Sequence, residues 1–254
     1  MIPASVGFQC PECVREGNAS VRPVKRDGRL RSARRRWGAV TLSLVGINVV
    51  MFVVTAFSAV LAGNSPLDNY RSPVFDALSQ WPYGVSLFGE WWRVFTSAFL
   101  HSGPVHLALN MLALIVFGPE FEARVGRWRY LVIYLLSAVG AAAGIQLFGD
   151  PDVAVAGASG AIYGLMGALA VLMLSQRQDV RGVFTLLAVN VVFSLLPGIS
   201  LLGHIGGLLT GALGAGILLL TRRNRPLQAV ALSCLAVLLL ALALAAPTIV
   251  VLGF

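Results

Sequence analysis

An all-α bundle of membrane-spanning helices is the fold class this sequence predicts, and three observations predict it. Hydrophobic residues make up 57% of the 254 and charged residues only 12%, against roughly a quarter charged in a soluble domain. Mean hydropathy is +0.80. The apolar residues also come in continuous runs rather than alternating with polar ones, which argues against soluble strands and against a membrane barrel.

Runs free of Asp, Glu, Lys and Arg cover residues 39–67, 94–119, 130–149, 153–176, 182–221 and 226–254. A span takes about 20 apolar residues, so the long fifth run holds two, divided at Pro197-Gly198. Seven helices result, over about 40–62, 103–118, 128–148, 157–174, 182–196, 200–220 and 229–250. The chain therefore divides into a polar, basic tail (1–37), expected to lack regular structure, and a membrane domain (38–254). Within that domain the core covers about 40–220 and the seventh helix is an addition. The first apolar run is too long for a signal-peptide core and reads as a signal anchor.

Basic residues set the orientation. Of the 19 Lys and Arg, nine precede the first span (Arg15, Arg22, Lys25, Arg26, Arg29, Arg31, Arg34, Arg35, Arg36). Eight more lie in the second–third, fourth–fifth and sixth–seventh connections (Arg124, Arg127, Arg129, Arg177, Arg181, Arg222, Arg223, Arg225), leaving Arg71 and Arg93 for the other side. The positive-inside rule then predicts a multi-pass protein of the cell membrane with a cytoplasmic N-terminus and an outer C-terminus. The net charge of +8 is accounted for by topology, so no nucleic-acid partner is expected. The basic stretch 22–36 is suited to anionic lipid.

Topology gives each polar residue a depth. The second, fourth and sixth spans all descend from the outer face, which puts His101, His106 and Asn110, Ser159, and His204 within about 10 Å of one level at 1.5 Å rise per residue. Taken singly, an intramembrane Ser is usually a packing residue, a His near a helix end is usually interfacial, and an Asn is an interhelical donor. Polar groups in a bilayer are costly and face the bundle interior or a wet cavity, so their coincidence at one depth marks a candidate site. Glycines supply the contact. Gly157, Gly160, Gly164 and Gly167 on the fourth span, and Gly203, Gly207 and Gly211 on the sixth, strip side-chain bulk from facing stripes and let the two backbones approach. Ser159 and His204 would meet across that interface.

Serine is a poor nucleophile without a base to take its proton, and His204 is the one histidine on the facing helix. His106, Asn110 and the Ser159 amide at a helix start are suitable donors to an oxyanion. Tyr163 lies one turn below Ser159 on the same face, where its ring can pack under His204. No carboxylate lies in these three spans, so the base works as half of a dyad.

At these residues the sequence resembles the rhomboid family of intramembrane serine proteases. The match comprises "GASG" at 157–160 with Tyr163 following, "GHIGGLLTG" at 203–211, "HSGPVHLALNM" at 101–111, and "EWWRVFTSAFLH" at 90–101. It covers about residues 40–220. The resemblance implies a Ser159–His204 catalytic dyad, an oxyanion site of His106, Asn110 and the Ser159 amide, and cleavage of substrate transmembrane segments near their outer ends. Gly157, Gly160, Gly207 and Gly211 support the site. The aromatic first loop suits the membrane interface, with Trp92 and Arg93 structural, Arg93 either snorkelling to head groups or bonding loop carbonyls.

"CPEC" pairs Cys10 with Cys13 at metal-ligand spacing, but two thiolates are half of a four-ligand zinc site. Reduced cysteines in a cytoplasmic tail are the preferred reading, and no cofactor is expected. Two other functions compete with proteolysis by the dyad on transmembrane protein substrates. One is non-catalytic binding of client helices, which loss of Ser159 or His204 would have favoured. The other is transport, which the absence of intramembrane carboxylates and of an inverted repeat disfavours.

Overall fold

The computed structural model of the protein describes residues 2–3, 7–20, 37–194 and 199–245. It comprises two units, Met1–Arg35 and Arg36–Phe254. In the first, β1 (Ile2–Pro3) and β2 (Phe8–Gln9) form a minimal antiparallel pair, followed by α1 (Pro11–Ser20). Part of the expected structureless tail is thus helical. Pro11 stands at the helix start, where a missing N–H costs nothing, and Glu12 adds an anion to the first turn. The lipid contact expected of 22–36 falls outside the described residues.

The second unit begins with α2 (Ala39–Leu61). A loop built of a 3-10 turn (Pro66–Arg71), α3 (Pro73–Leu78), α4 (Pro82–Phe88), α5 (Arg93–Thr96) and a second 3-10 turn (Ser97–Phe99) follows. Then come α6 (Pro104–Val125), α7 (Arg127–Phe148), α8 (Ser159–Ser175), α9 (Arg181–Phe193), α10 (Leu201–Leu220) and α11 (Arg225–Ala243). Five of these, α2, α6, α7, α10 and α11, are long and apolar enough to cross a membrane; α8 and α9 are shorter apolar helices at the places of the fourth and fifth expected spans. The fold is a membrane helix bundle.

Helix boundaries depart from expectation where a side chain caps a helix. α6 continues through Pro119 to Val125 instead of stopping near 118. This carries the buried Glu122 to the start of α2, whose own N-cap, Gly38, has no side chain to offer. The carboxylate accepts from the amides of Ala39 (2.9 Å), Val40 (3.1 Å) and Thr41 (3.2 Å). Three of the four free donors of a helix start are thereby satisfied from another helix. α11 begins at Arg225, earlier than expected, because Asn224 Oδ1 accepts the Leu227 amide at 3.0 Å and Pro226 occupies the first turn. Its expected end near 250, and the Pro197-Gly198 divide, lie outside the described residues.

The expected contact of the fourth and sixth spans is the most extensive helix–helix contact, and the next most extensive packs α10 into α7 on its other side. A Cβ on Gly207 or Gly211 would run into the backbone carbonyl of Gly160 or Gly164, and one on Gly206 into that of Gly140. Two glycine stripes on one helix thus let α10 lie against two backbones at once. The loop after α2 is fastened by Arg93, 5% exposed, which donates to the carbonyls of Asp76 and Ser79 (2.8 Å) and pairs with Glu90 (2.6 Å). Of the two roles considered for Arg93, the carbonyl-binding one is observed. Trp92 Nε1 donates to Ala77 O at 3.0 Å. A two-way backbone pairing of Gln80 with Val155, both bonds 2.8 Å, ties this loop to the segment that leads into α8.

Candidate active site

Ser159 is the first residue of α8, so its amide is one of the helix's free N-terminal donors. The turn that delivers it depends on Gly157, whose φ of +146° disfavours any side chain. The Gly157 amide donates to Ser97 O at 3.0 Å. A Cβ at this position would lie 3.0 Å from the His106 ring and 3.4 Å from Ser159 Oγ. Glycine therefore keeps open the space between the serine hydroxyl and His106.

Across the α8–α10 contact, His204 Nε2 lies 2.7 Å from Ser159 Oγ. The Tyr163 ring stacks on the imidazole, centroids 4.1 Å apart and planes within 9°. His204 is 7% exposed and Tyr163 3%, so the ring is clamped on one face and buried against the other helix. The glycine stripes explain how this is reached: Gly207 lies one turn from His204 on α10, and Gly160 follows Ser159 on α8.

His106 stands on the first turn of α6. Its Nδ1 accepts the Ser102 amide (3.4 Å) and contacts Ser102 Oγ (3.2 Å). A ring nitrogen that accepts from a backbone N–H carries no proton, so the proton of the neutral ring is on Nε2, the atom facing Gly157 and Ser159. That atom is a donor aimed at the space beside Ser159 Oγ. Asn110, one turn further along α6, gives one amide hydrogen to His106 O at 2.9 Å and keeps a second. His101 is fully buried with its ring edge-on to His106, centroids 5.1 Å apart.

The rhomboid domain model matches residues 88–221, more than half of the chain. The chain belongs to the rhomboid family. Among its relatives, Rhomboid protease AarA of Providencia stuartii is 31% identical over 204 residues, 69% of this chain and 70% of that protein. Rhomboid protease GluP of Bacillus subtilis (strain 168) is 41% identical over 159 residues, 59% of this chain and 31% of the relative. RHOMBOID-like protein 6, mitochondrial, of Arabidopsis thaliana is 39% identical over 129 residues, 48% of this chain and 42% of the relative. This rhomboid is a multi-pass membrane protein, and its matched region contains Ser159, His204, His106, Asn110 and Tyr163, while α2, α11 and the first unit lie outside it.

One polar residue at this site was missed by the sequence reading. Ser194, just past the end of α9, is 3% exposed and places its Oγ 2.6 Å from His204 Nδ1 and 2.8 Å from the Tyr163 hydroxyl. The signal was available. The depth argument used for the second, fourth and sixth spans, applied to the ascending fifth, puts its C-terminal end at the same outer level.

The cysteine pair belongs to the first unit, where Cys10 and Cys13 are both exposed and free. A hydrogen bond from the Cys13 backbone lowers the Cys10 pKa. Among the described residues, no group of three or more His, Cys, Asp or Glu is placed to hold a metal ion.

Proposed function

We propose that this protein is an intramembrane serine endopeptidase that hydrolyses peptide bonds in or near transmembrane segments of other membrane proteins. The observation that carries the reading is the 2.7 Å contact between Ser159 Oγ and His204 Nε2 at the start of a membrane helix. Ser159 Oγ gives its proton to His204 Nε2 as it attacks the substrate carbonyl carbon. The oxyanion of the tetrahedral adduct is received by the Ser159 amide, His106 Nε2–H and the free hydrogen of the Asn110 amide. His204 then returns the proton to the departing amine, leaving an acyl group on Ser159. In the second half-reaction His204 takes a proton from water, the hydroxide attacks the ester carbonyl, and Ser159 regains its proton as the acid leaves.

A helical peptide bond is shielded by its own hydrogen bonding, so substrates with glycine or other small residues near the scissile bond open most easily. By the distribution of Lys and Arg the site faces the outer side of the membrane, with the N-terminus in the cytoplasm and the C-terminus outside. The Cys10–Cys13 pair takes no part, and the reaction requires no cofactor. The test is fluorophosphonate labelling of the purified protein in liposomes, beside cleavage of a model transmembrane substrate. Wild type should label and cleave, and Ser159→Ala should do neither. A folded wild type that does neither would point to client-helix binding instead.

A further inference from the structure

We infer that Ser194 is a positioning residue of the catalytic histidine: it fixes the His204 tautomer and makes the dyad the visible part of a Ser159–His204–Ser194 chain. The inference rests on the proteolytic reading above and adds to it what holds the base in its working form.

The protons around Ser194 can be assigned one by one. A hydroxyl has one hydrogen to give and two lone pairs to accept with. Three polar groups surround Ser194 Oγ: the Asn190 carbonyl at 2.8 Å, the Tyr163 hydroxyl at 2.8 Å and His204 Nδ1 at 2.6 Å. The carbonyl can only accept, so the Ser194 hydrogen goes to it, one turn back along α9. The Tyr163 hydroxyl must then donate to Ser194. The remaining lone pair of Ser194 faces Nδ1, which must therefore carry the ring proton. With Nδ1 protonated, Nε2 of the neutral ring is bare, and it is the atom 2.7 Å from the Ser159 hydroxyl.

The opposite tautomer fails on the same inventory. If Nε2 carried the proton, Nδ1 would need the Ser194 hydrogen, and the Ser194 and Asn190 oxygens would face each other at 2.8 Å with none between them. The nucleophile would also meet an N–H instead of a base. Tyr163 acts twice in this arrangement, since its ring supports the imidazole from below and its hydroxyl orients the residue behind it. When Nε2 takes the serine proton, the Nδ1–H to Ser194 bond becomes charge-assisted and strengthens, so its contribution grows toward the transition state. A neutral hydroxyl supplies part of what a carboxylate would supply behind a histidine base, without placing a charge in the bilayer.

The test uses the full-length protein in liposomes. Ser194→Ala should lower kcat about tenfold to a hundredfold with KM unchanged, and Ser194→Thr, which keeps the hydroxyl, should restore most of it. Tyr163→Phe keeps the ring stack and should lose less; combined with Ser194→Ala it should add almost nothing, since both act on one hydrogen-bond chain. Because Ser194→Ala can also disturb the end of α9, the tautomer is read in the unaltered protein. It has three histidines, so 15N-histidine spectra are assignable by removing each in turn. His204 should show protonated Nδ1 and bare Nε2 at neutral pH, and Ser194→Ala should mix the tautomers. Protonated Nε2 in wild type, or Ser194→Ala with wild-type kcat and tautomer, overturns the inference. Failure of wild type to label or cleave would instead overturn the proteolytic reading.

Discussion

Replacing Gly207 with Ala adds one carbon where α10 touches α8, and the structure supplies its own control nine residues later. A Cβ on Gly207 would overlap the Gly160 carbonyl, a backbone atom that cannot rotate away, whereas a Cβ on Gly216 of the same helix meets nothing within 4 Å. Both replacements gain about 1 kcal/mol of helix propensity, so that contribution cancels in the comparison. What remains is overpacking, typically about 1–3 kcal/mol. Relief requires the helices to part by roughly 1.5 Å before ordinary non-bonded contact is restored. The same movement stretches the Ser159–His204 contact from 2.7 Å to beyond about 3.2 Å, outside hydrogen-bonding range. Gly207→Ala should therefore unfold more readily than Gly216→Ala by about 2 kcal/mol in a steric-trapping or mild-denaturant titration in bicelles. Its turnover should also fall at least tenfold while Gly216→Ala stays at wild-type activity. Equal stability and equal turnover of the two variants would refute the close-contact account of how serine and histidine meet.

Other perturbations probe separate parts of the structure. His106→Ala and Asn110→Ala should each lower turnover by about 10²–10³ if they donate to the oxyanion, measured on a transmembrane substrate under saturating conditions; unchanged rates in both would leave the Ser159 amide as the remaining donor. Glu122→Ala removes the cap of α2 and should cost about 2 kcal/mol, seen as a lower unfolding midpoint with residual activity; an unchanged midpoint would show that the α2 amides find other partners. In Cys13→Ser/Cys234→Ala protein, which retains the Cys13-position backbone donor, Cys10 should reach half its maximal alkylation rate below the pH of an ordinary thiol, because a lowered pKa exposes thiolate earlier as pH rises. A midpoint like that of an unstructured cysteine peptide would contradict this.

Much of this rhomboid was written in local chemistry. Composition and uninterrupted apolar runs determined that the chain folds in a bilayer as helices, because a backbone in lipid must satisfy its own hydrogen bonds and a helix does so within one segment. Spacing along each helix, with its 1.5 Å rise, predicted one common level for Ser159, His106, Asn110 and His204. Glycines three or four residues apart marked the α8–α10 contact, since small residues act through the absence of bulk, a property visible residue by residue. Depth and stripe together sufficed to pair Ser159 with His204.

Tertiary structure alone decided which way each polar group points and what stands behind it. Glu122 lies beyond the expected end of the second span near 118, yet it closes the start of α2 because the two helices meet there. No pattern within α6 encodes that meeting. Ser194 was not singled out from the sequence, and its place behind His204 exists only once α8, α9 and α10 converge. For His106 and His204 the ring proton follows from the partner of Nδ1: the Ser102 amide donates to it in His106 and leaves the proton on Nε2, whereas Ser194 accepts from it in His204 and leaves Nε2 bare. A sequence ranks residues by depth and face, but hydrogen bonds are directional and close within about 3 Å, so their pairing is fixed by the packing of whole helices against one another.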